Sequence, residues 1–514
     1  MISARSLLLR VEKWAKAADV SFWALFGLCL IPAALLIVFF SQTGTPLHPY
    51  ITSDTAVWSV IGRGITEGYV PYRDLYDHKG PLLFFIYAIG FFISGGKMGL
   101  CLLESVSVAL VLAASFRLAR LFVSFRQSWF ILFFVLLFQL ATMDGGGTNE
   151  LYSQVFMIWP FYWLMRALVK QSKVAAVPAW VWFSIGLAGG AVTMIRMNNS
   201  AALFGLSLGA VLLLLRGKCW LSVFKAAASM VGGLILALIP FCAYFMHHGA
   251  MEIFLQGCFL HNFSFAAEGV SSKTWQEYVL MAAKGLPALL VVALVLRDYA
   301  GRRTRGQVAF PVSVAGLLSY LILFVGNGYN HYVYIIEPLF VLFLSRMMRY
   351  FEQQDSAPDS KRKSVYYRTS LCSLLLLTPF SMNMLSVCKA CVSRNLAQLT
   401  QTGIELHYQA CQKLGEAIPA ADRDKVWGMD LAPDVYINMN VTPCYRYFTL
   451  QSFYSCSMPE IGDETTQWLK SSPPLYIVDQ GNPAMKEVLN QRYECVETVE
   501  VNKGGSYSLY RRKE

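Results

Sequence analysis

Apolar runs long enough to cross a bilayer recur along this chain, near residues 21–41, 98–117, 127–143, 151–169, 176–194, 200–215, 226–246, 277–296, 308–326, 332–349 and 369–388. A helix rises about 1.5 Å per residue and needs about 20 apolar residues to cross the hydrocarbon layer, so the chain reads as an α-helical polytopic membrane protein. Composition agrees: of 514 residues, 55% are hydrophobic and 15% charged, whereas soluble domains carry about 25% charged residues. The net charge of +11 is accounted for by basic cytoplasmic loops, and no nucleic-acid partner is implied. The first run lacks a small-residue cleavage site and reads as an anchor, not a signal peptide.

One further run, PLLFFIYAIGFFISGG at 81–96, is short for a span and ends in two glycines. Counting it as a span would invert everything downstream, and the basic residues decide against that. With 81–96 lying at the surface as an interfacial helix, 23 of the 30 Lys and Arg before residue 370 fall on one side. These include Arg5, Arg10, Lys13 and Lys16, then Arg302, Arg303 and Arg305, then Lys361, Arg362 and Lys363. The positive-inside rule makes that side cytoplasmic. The expectation is eleven spans, the N-terminus inside and the C-terminus outside. A transmembrane domain then covers 1–388, with a first outer loop at 42–97, and 389–514 forms a small extracytoplasmic α/β domain.

That tail is polar and mixed, with helix-like TTQWLKSS and strand-like PLYIVDQ and GSYSLYRR. Six of the 12 cysteines lie at or beyond the last run: Cys388, Cys391, Cys411, Cys444, Cys456 and Cys495. In an oxidising compartment this even number favours disulfides. The Cys388–Cys391 spacing alternatively suits a metal or redox pair, which no second such spacing and no nearby His supports.

With this topology the unusual polar residues collect on the outer face. The first loop holds Asp54, Asp74, Asp77, His78 and Lys79; the second is MDGGGTNE, with Asp144 and Glu150. Further on come Arg196, His261 in FLHNFSF, and His331 with Tyr332 in GNGYNHYVYIIEP. Each has a bland alternative. Asp144 in a glycine-rich turn suits a turn residue, and His261 and His331 suit loop histidines in solvent. Glu337 beside Pro338 is either functional or paired with a basic neighbour, and Arg196 at a non-cytoplasmic boundary either binds an anion or snorkels. Carboxylates can serve as base or metal ligand, and Lys and Arg can hold a phosphate that leaves with negative charge. An apolar interfacial helix beside them leaves a lipid tail in the bilayer. The combination suits transfer of a group from a lipid phosphate outside the cytoplasm. The chain contains no GxxxxGK[ST] phosphate loop.

An Asp soon after the first run, then GYVPYRDLYDHKGPLLFFIY, an acidic residue opening a later run, and HY-x5-P together carry a resemblance. The chain resembles the GT-C glycosyltransferases, the group of the protein O-mannosyltransferases and the lipid A aminoarabinose transferase. Within it the likeness is to the bacterial RgtA/B/C/D-like, dolichyl-phosphate-mannose-protein mannosyltransferase-like branch. It covers roughly residues 20 to 350. The resemblance implies a GT-C fold, a bacterial plasma (inner) membrane location, a polyprenyl-phosphate sugar donor and an acceptor glycan, lipid or protein. It makes Asp54 the catalytic residue and Glu150 the second acidic one. Lys79, Arg196 and Tyr76 would lie at the donor phosphate, with Asp77, His78, His261, His331 and Tyr332 as further substrate contacts. His78 stands where the family has an acidic residue, which puts in doubt a divalent metal at Asp54, Glu150 and His78.

Two other functions compete. A lipid-linked-sugar flippase would show polar residues through mid-membrane segments and internal repeats; the acids here gather at one face. A non-catalytic scaffold leaves Asp54 and Lys79 without a role.

Overall fold

The structure is a computed structural model that describes residues 21–261, 273–325, 328–354, 358–400, 406–501 and 505–513. Arg5, Arg10, Lys13 and Lys16 of the expected cytoplasmic cluster lie outside the described residues. The membrane part is built from α1 (Phe22–Phe40), α2 (Ser53–Thr66), α3 (Pro81–Ser94), α4 (Lys97–Arg120), α5 (Phe125–Thr142), α6 (Asn149–Lys170), α7 (Ala179–Thr193), α8 (Ala201–Arg216) and α9 (Trp220–His247). It continues with α10 (Trp275–Lys284), α11 (Leu286–Ala300), α12 (Gly306–Ile322), α13 (Glu337–Gln354), α14 (Pro358–Leu377) and α15 (Ser381–Thr400).

Among the described residues, seven helices are long and apolar enough to span a bilayer, and α10 with α11, bent by 47°, makes an eighth. The eleven expected spans are reached only by adding α6 and the shorter apolar helices α7 and α12. α4 and α13 form the interior of the bundle, and most of their length is buried. α9 lies at the periphery, exposing Trp220, Phe224, Leu236 and Ile239, as a helix facing hydrocarbon must. The short helices pack by small residues that let backbones approach. A Cβ built on Gly186 of α7 would come within 1.8 Å of the Met230 carbonyl of α9, and one on Gly205 of α8 within 2.6 Å of Ala315 in α12.

Residues 81–94 form a 14-residue helix, α3, about 21 Å long and so shorter than the hydrocarbon layer. Pro81 starts it and Gly95 at φ 67° ends it. One face packs on α2, where Gly62 leaves room for Tyr87, and the other presents Ile89, Phe92 and Ile93 outward. A short helix with one packed and one greasy face suits the membrane interface.

The tail carries a four-stranded sheet: β1 (Val426–Trp427), β2 (Tyr476–Asp479), β3 (Tyr493–Val501) and β4 (Gly505–Arg512), in the order β1-β2-β4-β3. β1 pairs with β2 in parallel, and the other neighbours are antiparallel. Helices flank it, among them Pro459–Ser471 over TTQWLKSS. α15 runs through the expected boundary at 388 and reaches Thr400. The expected disulfides do not form. All six cysteines from Cys388 onward are free thiols, because they sit on separate elements or, for Cys388 and Cys391, along one helix. Cys391 instead donates to the Phe40 carbonyl, 3.3 Å away.

The tail docks on the first loop. Arg63 of α2 donates to the carbonyls of Tyr436 and Val441, and Thr442 donates to Glu67. Loop and tail therefore lie at the same end of the bundle. The basic-residue asymmetry predicts which side of the membrane that end faces. With exposed Cys456 and Cys495 replaced, a cysteine at Thr66 reacts with an impermeant thiol reagent added to sealed cells, and one at Thr304 does not. The reverse pattern would overturn the orientation.

Candidate functional site

α2 begins with Thr52 in the N-cap position, so Asp54 is not the cap; it lies in the first turn, exposed. The cap hydroxyls form their own cluster: Thr43 Oγ1 and Thr52 Oγ1 each lie 2.7 Å from Thr55 Oγ1. Asp54 is thus a carboxylate at the positive end of a helix, with no structural duty at the cap.

The floor under this helix start is a polar knot. Asp144, Gly145, Gly146 and Gly147 all have positive φ, between 48° and 96°, which explains the three glycines: three successive L-residues there would be strained. The Gly145 carbonyl accepts from the amides of Gln42 and Thr43, and the Gly147 carbonyl from Tyr87 Oη at 2.7 Å. Glu104, fully buried in α4, accepts from Ser41 at 2.8 Å. Lys97 Nζ donates to the carbonyls of Gln42, His48 and Tyr50 at 2.6–2.9 Å. This pins the 41–50 connection leading to Asp54.

Asp77, His78 and Lys79 follow in one strand of chain. Asp77 is 3% exposed. Its Oδ2 accepts from Trp58 Nε1 at 2.9 Å and its Oδ1 from Tyr454 Oη at 3.0 Å, with His78 Nδ1 3.1 Å away. Burial pushes the Asp77 carboxyl up, but the hydrogen bonds from His78 and Tyr454 and the nearby Lys79 charge win, holding it well below the usual range. Burial and the adjacent Lys79 lower the His78 ring, which is therefore neutral. Nδ1–H then faces Asp77, and Nε2 accepts from Lys79 Nζ. The backbone is held as well: the Lys79 carbonyl accepts from Tyr72 Oη at 2.6 Å. Burial lowers the Lys79 ammonium, and the charges of Asp77, Arg196, Asp54 and Glu150 all reach it.

Glu150 opens α6, fully buried, and pairs through Oε1 with Arg196 Nη1 at 2.8 Å. The Arg196 guanidinium lies 4.0 Å from the centre of the Tyr332 ring. Arg196 is thus held by a carboxylate on one side and an aromatic face on another, which is not the free snorkelling arginine that its position alone allowed. Beside it, His331 Nδ1 lies 2.9 Å from Asp144 Oδ2, and Asn383 donates to Asp144 Oδ1 at 2.9 Å. Asp144 is therefore more than a turn residue: it ties the glycine-rich loop before α6 to His331 and to α15.

The structure brings Asp54, Lys79, Glu150, Arg196 and Tyr332 together, with Asp77 and His78 behind Lys79. Tyr76 and His261 are paired with one another instead. The Tyr76 ring packs against Tyr447 and Tyr454 of the tail. The donor set does not fit a metal: both His78 ring nitrogens face protein partners and Glu150 is paired to Arg196. Among the described residues no group of three or more His, Cys, Asp or Glu forms such a site. Glu337 is satisfied by Ser115 at 3.0 Å and by Gln139, not by a basic neighbour.

Sequence reasoning missed Trp58, Tyr454 and Glu104. A carboxylate inside an apolar run was the one available signal, for Glu104; nothing local marks Tyr454, 377 residues from its partner Asp77.

This bundle, with the short helices α2 and α3 in its first loop and a small mixed sheet on the same end, is a polytopic GT-C fold. It superposes on ArnT, the aminoarabinose transferase, from Cupriavidus metallidurans bound to undecaprenyl phosphate, with a TM-score of 0.59 and 12% identity, over 94% of this chain and 98% of that one. The apo ArnT structure gives a TM-score of 0.56 at 14% identity, over 94% and 97%. An oligosaccharyltransferase from Archaeoglobus fulgidus, complexed with Zn and sulfate, matches at a TM-score of 0.48 and 12% identity, over 88% and 68%. No protein-family model and no curated protein sequence matches the chain.

The pairing of Glu150 with Arg196 gives a stability test. Removing one member of a buried pair strands the other, at a cost of about 3 kcal/mol; the low end applies because Arg196 is 21% exposed. Arg196→Ala should lower the thermal unfolding temperature in lipid nanodiscs, and adding Glu150→Gln should recover much of the loss. An additive double variant would show that the two are not coupled.

Proposed function

We propose that this protein is a membrane glycosyltransferase that moves a sugar from a polyprenyl-phosphate donor to an acceptor at the outer face of a bacterial plasma membrane. One observation carries the reading: three separate segments bring a free carboxylate, Asp54, and two held cations, Lys79 and Arg196, to one end of a GT-C bundle. The fold's occurrence in ArnT, whose structure holds undecaprenyl phosphate, supports a donor of that class.

The donor's isoprenoid tail stays in the bilayer beside α3, and its phosphate meets Lys79 and Arg196. As the glycosidic bond breaks, negative charge grows on the leaving phosphate oxygen, and both cations stabilise it. Glu150 and the Tyr332 ring hold Arg196 in place; Asp77 and His78 do the same for Lys79. Asp54 takes the proton of the acceptor hydroxyl as that oxygen bonds to the anomeric carbon. Attack opposite the phosphate inverts that centre. No step is routed through a metal: both His78 ring nitrogens face protein partners and Glu150 is paired through Oε1 to Arg196.

Removing a charge-assisted contact in such a site costs about 3 kcal/mol, so Lys79→Ala and Arg196→Ala each lower turnover about a hundredfold. Full activity in both would place the clamp elsewhere. Asp54→Asn keeps shape and polarity but accepts no proton; it folds, inserts, binds donor and loses nearly all transfer. Near-normal transfer would remove Asp54 as the base. Donor binding also depends on pH through Lys79. The ammonium is lowered below the ordinary lysine value, so affinity is full below that lowered pKa and falls as pH rises through it. In Lys79→Arg the fall moves to higher pH; identical profiles would exclude Lys79.

A further inference from the structure

A cavity of about 440 Å³ opens at the other end of α2, between the first loop and the tail. Its walls include Glu67, Tyr69, Arg73 and Asp74 from the loop and Tyr445 and Arg446 from the tail. Gly68, at φ 95°, turns the chain out of α2 there, with open space where a Cβ would stand. Asp54 and Glu67 bracket the helix, 13 residues apart, hence about 20 Å at 1.5 Å per residue.

The charges on these walls cancel in pairs. Arg73 Nη2 lies 2.8 Å from Asp74 Oδ2, Glu67 lies 3.7 Å from Arg63 Nε, and Arg446 pairs with Glu464. Here the cations hold carboxylates, which leaves an electrically balanced set of acceptor oxygens and N–H donors beside tyrosine rings. Tyr69 is partly exposed, while Tyr445 is fixed by stacking on Trp468 at 3.9 Å and 9°. Vicinal hydroxyls bridge such donor and acceptor pairs, and the apolar face of a sugar ring lies on tyrosine. A peptide needs a free strand edge or pockets for alternate side chains, and the residues lining this cavity supply neither.

We propose that this cavity is a binding site for a neutral oligosaccharide, the acceptor glycan held several rings away from the sugar that reacts at Asp54. The assignment rests on the glycosyltransferase reading for its role, but not for the binding itself. A direct link joins the two places: the Tyr76 amide donates to the Arg446 carbonyl at 2.9 Å. The chain lining the cavity thereby continues into Asp77, His78 and Lys79, so an occupied cavity and a set phosphate clamp share one piece of backbone.

The test uses the full-length protein in lipid nanodiscs. The probe is a ladder of neutral oligosaccharides made by partial acid hydrolysis of the envelope polysaccharide of the cell that makes it. Saturation transfer from protein to sugar protons reads binding without any reaction. Wild type shows transfer that grows with oligosaccharide length, and Tyr69→Ala and Arg73→Gln each weaken binding about tenfold, as loss of one stacking or hydrogen-bonding group does. Arg73 reaches solvent and Tyr69 is partly buried against the core beneath it, so Tyr69→Phe, which keeps the packing and removes the hydroxyl, accompanies Tyr69→Ala, and unaltered thermal unfolding of Arg73→Gln checks that the fold is kept. Asp54→Asn binds the ladder as wild type does. Hydrolysis of a polyprenyl-phosphate sugar by water alone is unchanged in the cavity variants, while the acceptor KM rises. No binding by wild type, equal binding by all variants, or displacement of the ladder by a mixed peptide pool would overturn the assignment. If Asp54→Asn transfers sugar normally while the cavity variants still lose the ladder, the catalytic reading falls and the cavity assignment stands.

Discussion

The arrangement of the loop-and-tail end depends on one buried carboxylate. Asp77 accepts hydrogen bonds from Trp58 of α2 and Tyr454 of the tail, and lies against His78. A carboxylate with so little exposure is tolerable only when its lone pairs are met, so three parts of the chain must come together to bury it. Their assembly fixes the conformation of residues 77–79 and with it the place of Lys79. The tail is therefore part of the site's support, although no tail residue lies in the proposed phosphate clamp.

A second carboxylate does the same work on the other side of the cluster. Glu150 orients Arg196, whose ring contact with Tyr332 ties the start of α6 to the segment before α13. A third, Glu104, holds the glycine-rich loop and the connection to Asp54. Glu104 and Glu337, two carboxylates fully buried in helices of the bundle, are held by neighbouring side chains, Glu104 through one oxygen by Ser41 and Glu337 by Ser115 and Gln139. A transported substrate would need such groups free to exchange partners. Their fixed state favours chemistry at one face over passage through the bundle.

Much of this was legible in the sequence because membrane physics writes it there. Apolar length outlined the helices, and the shortness of 81–96 set α3 apart from the longer ones. Asp54, Lys79, Glu150 and Arg196 stood out because a charge between apolar runs is expensive and therefore seldom accidental. The supports were not legible. Tyr454 and Trp58 are ordinary aromatics until a partner arrives from the far end of the chain, and Tyr76 looked like a phosphate contact until the tail covered it. The cysteine count misled for the same reason: an even number says nothing of distance, and these thiols sit apart.

The central claim is that Asp54 activates an acceptor hydroxyl on the face opposite a phosphate held by Lys79 and Arg196. The most direct measurement is the anomeric configuration of the product, read by NMR after the protein, reconstituted in lipid, transfers a ¹³C-labelled sugar from a polyprenyl phosphate of known anomer. The account predicts inversion. Retention would require a covalent sugar–enzyme intermediate or attack from the phosphate side, and would contradict the role given to Asp54.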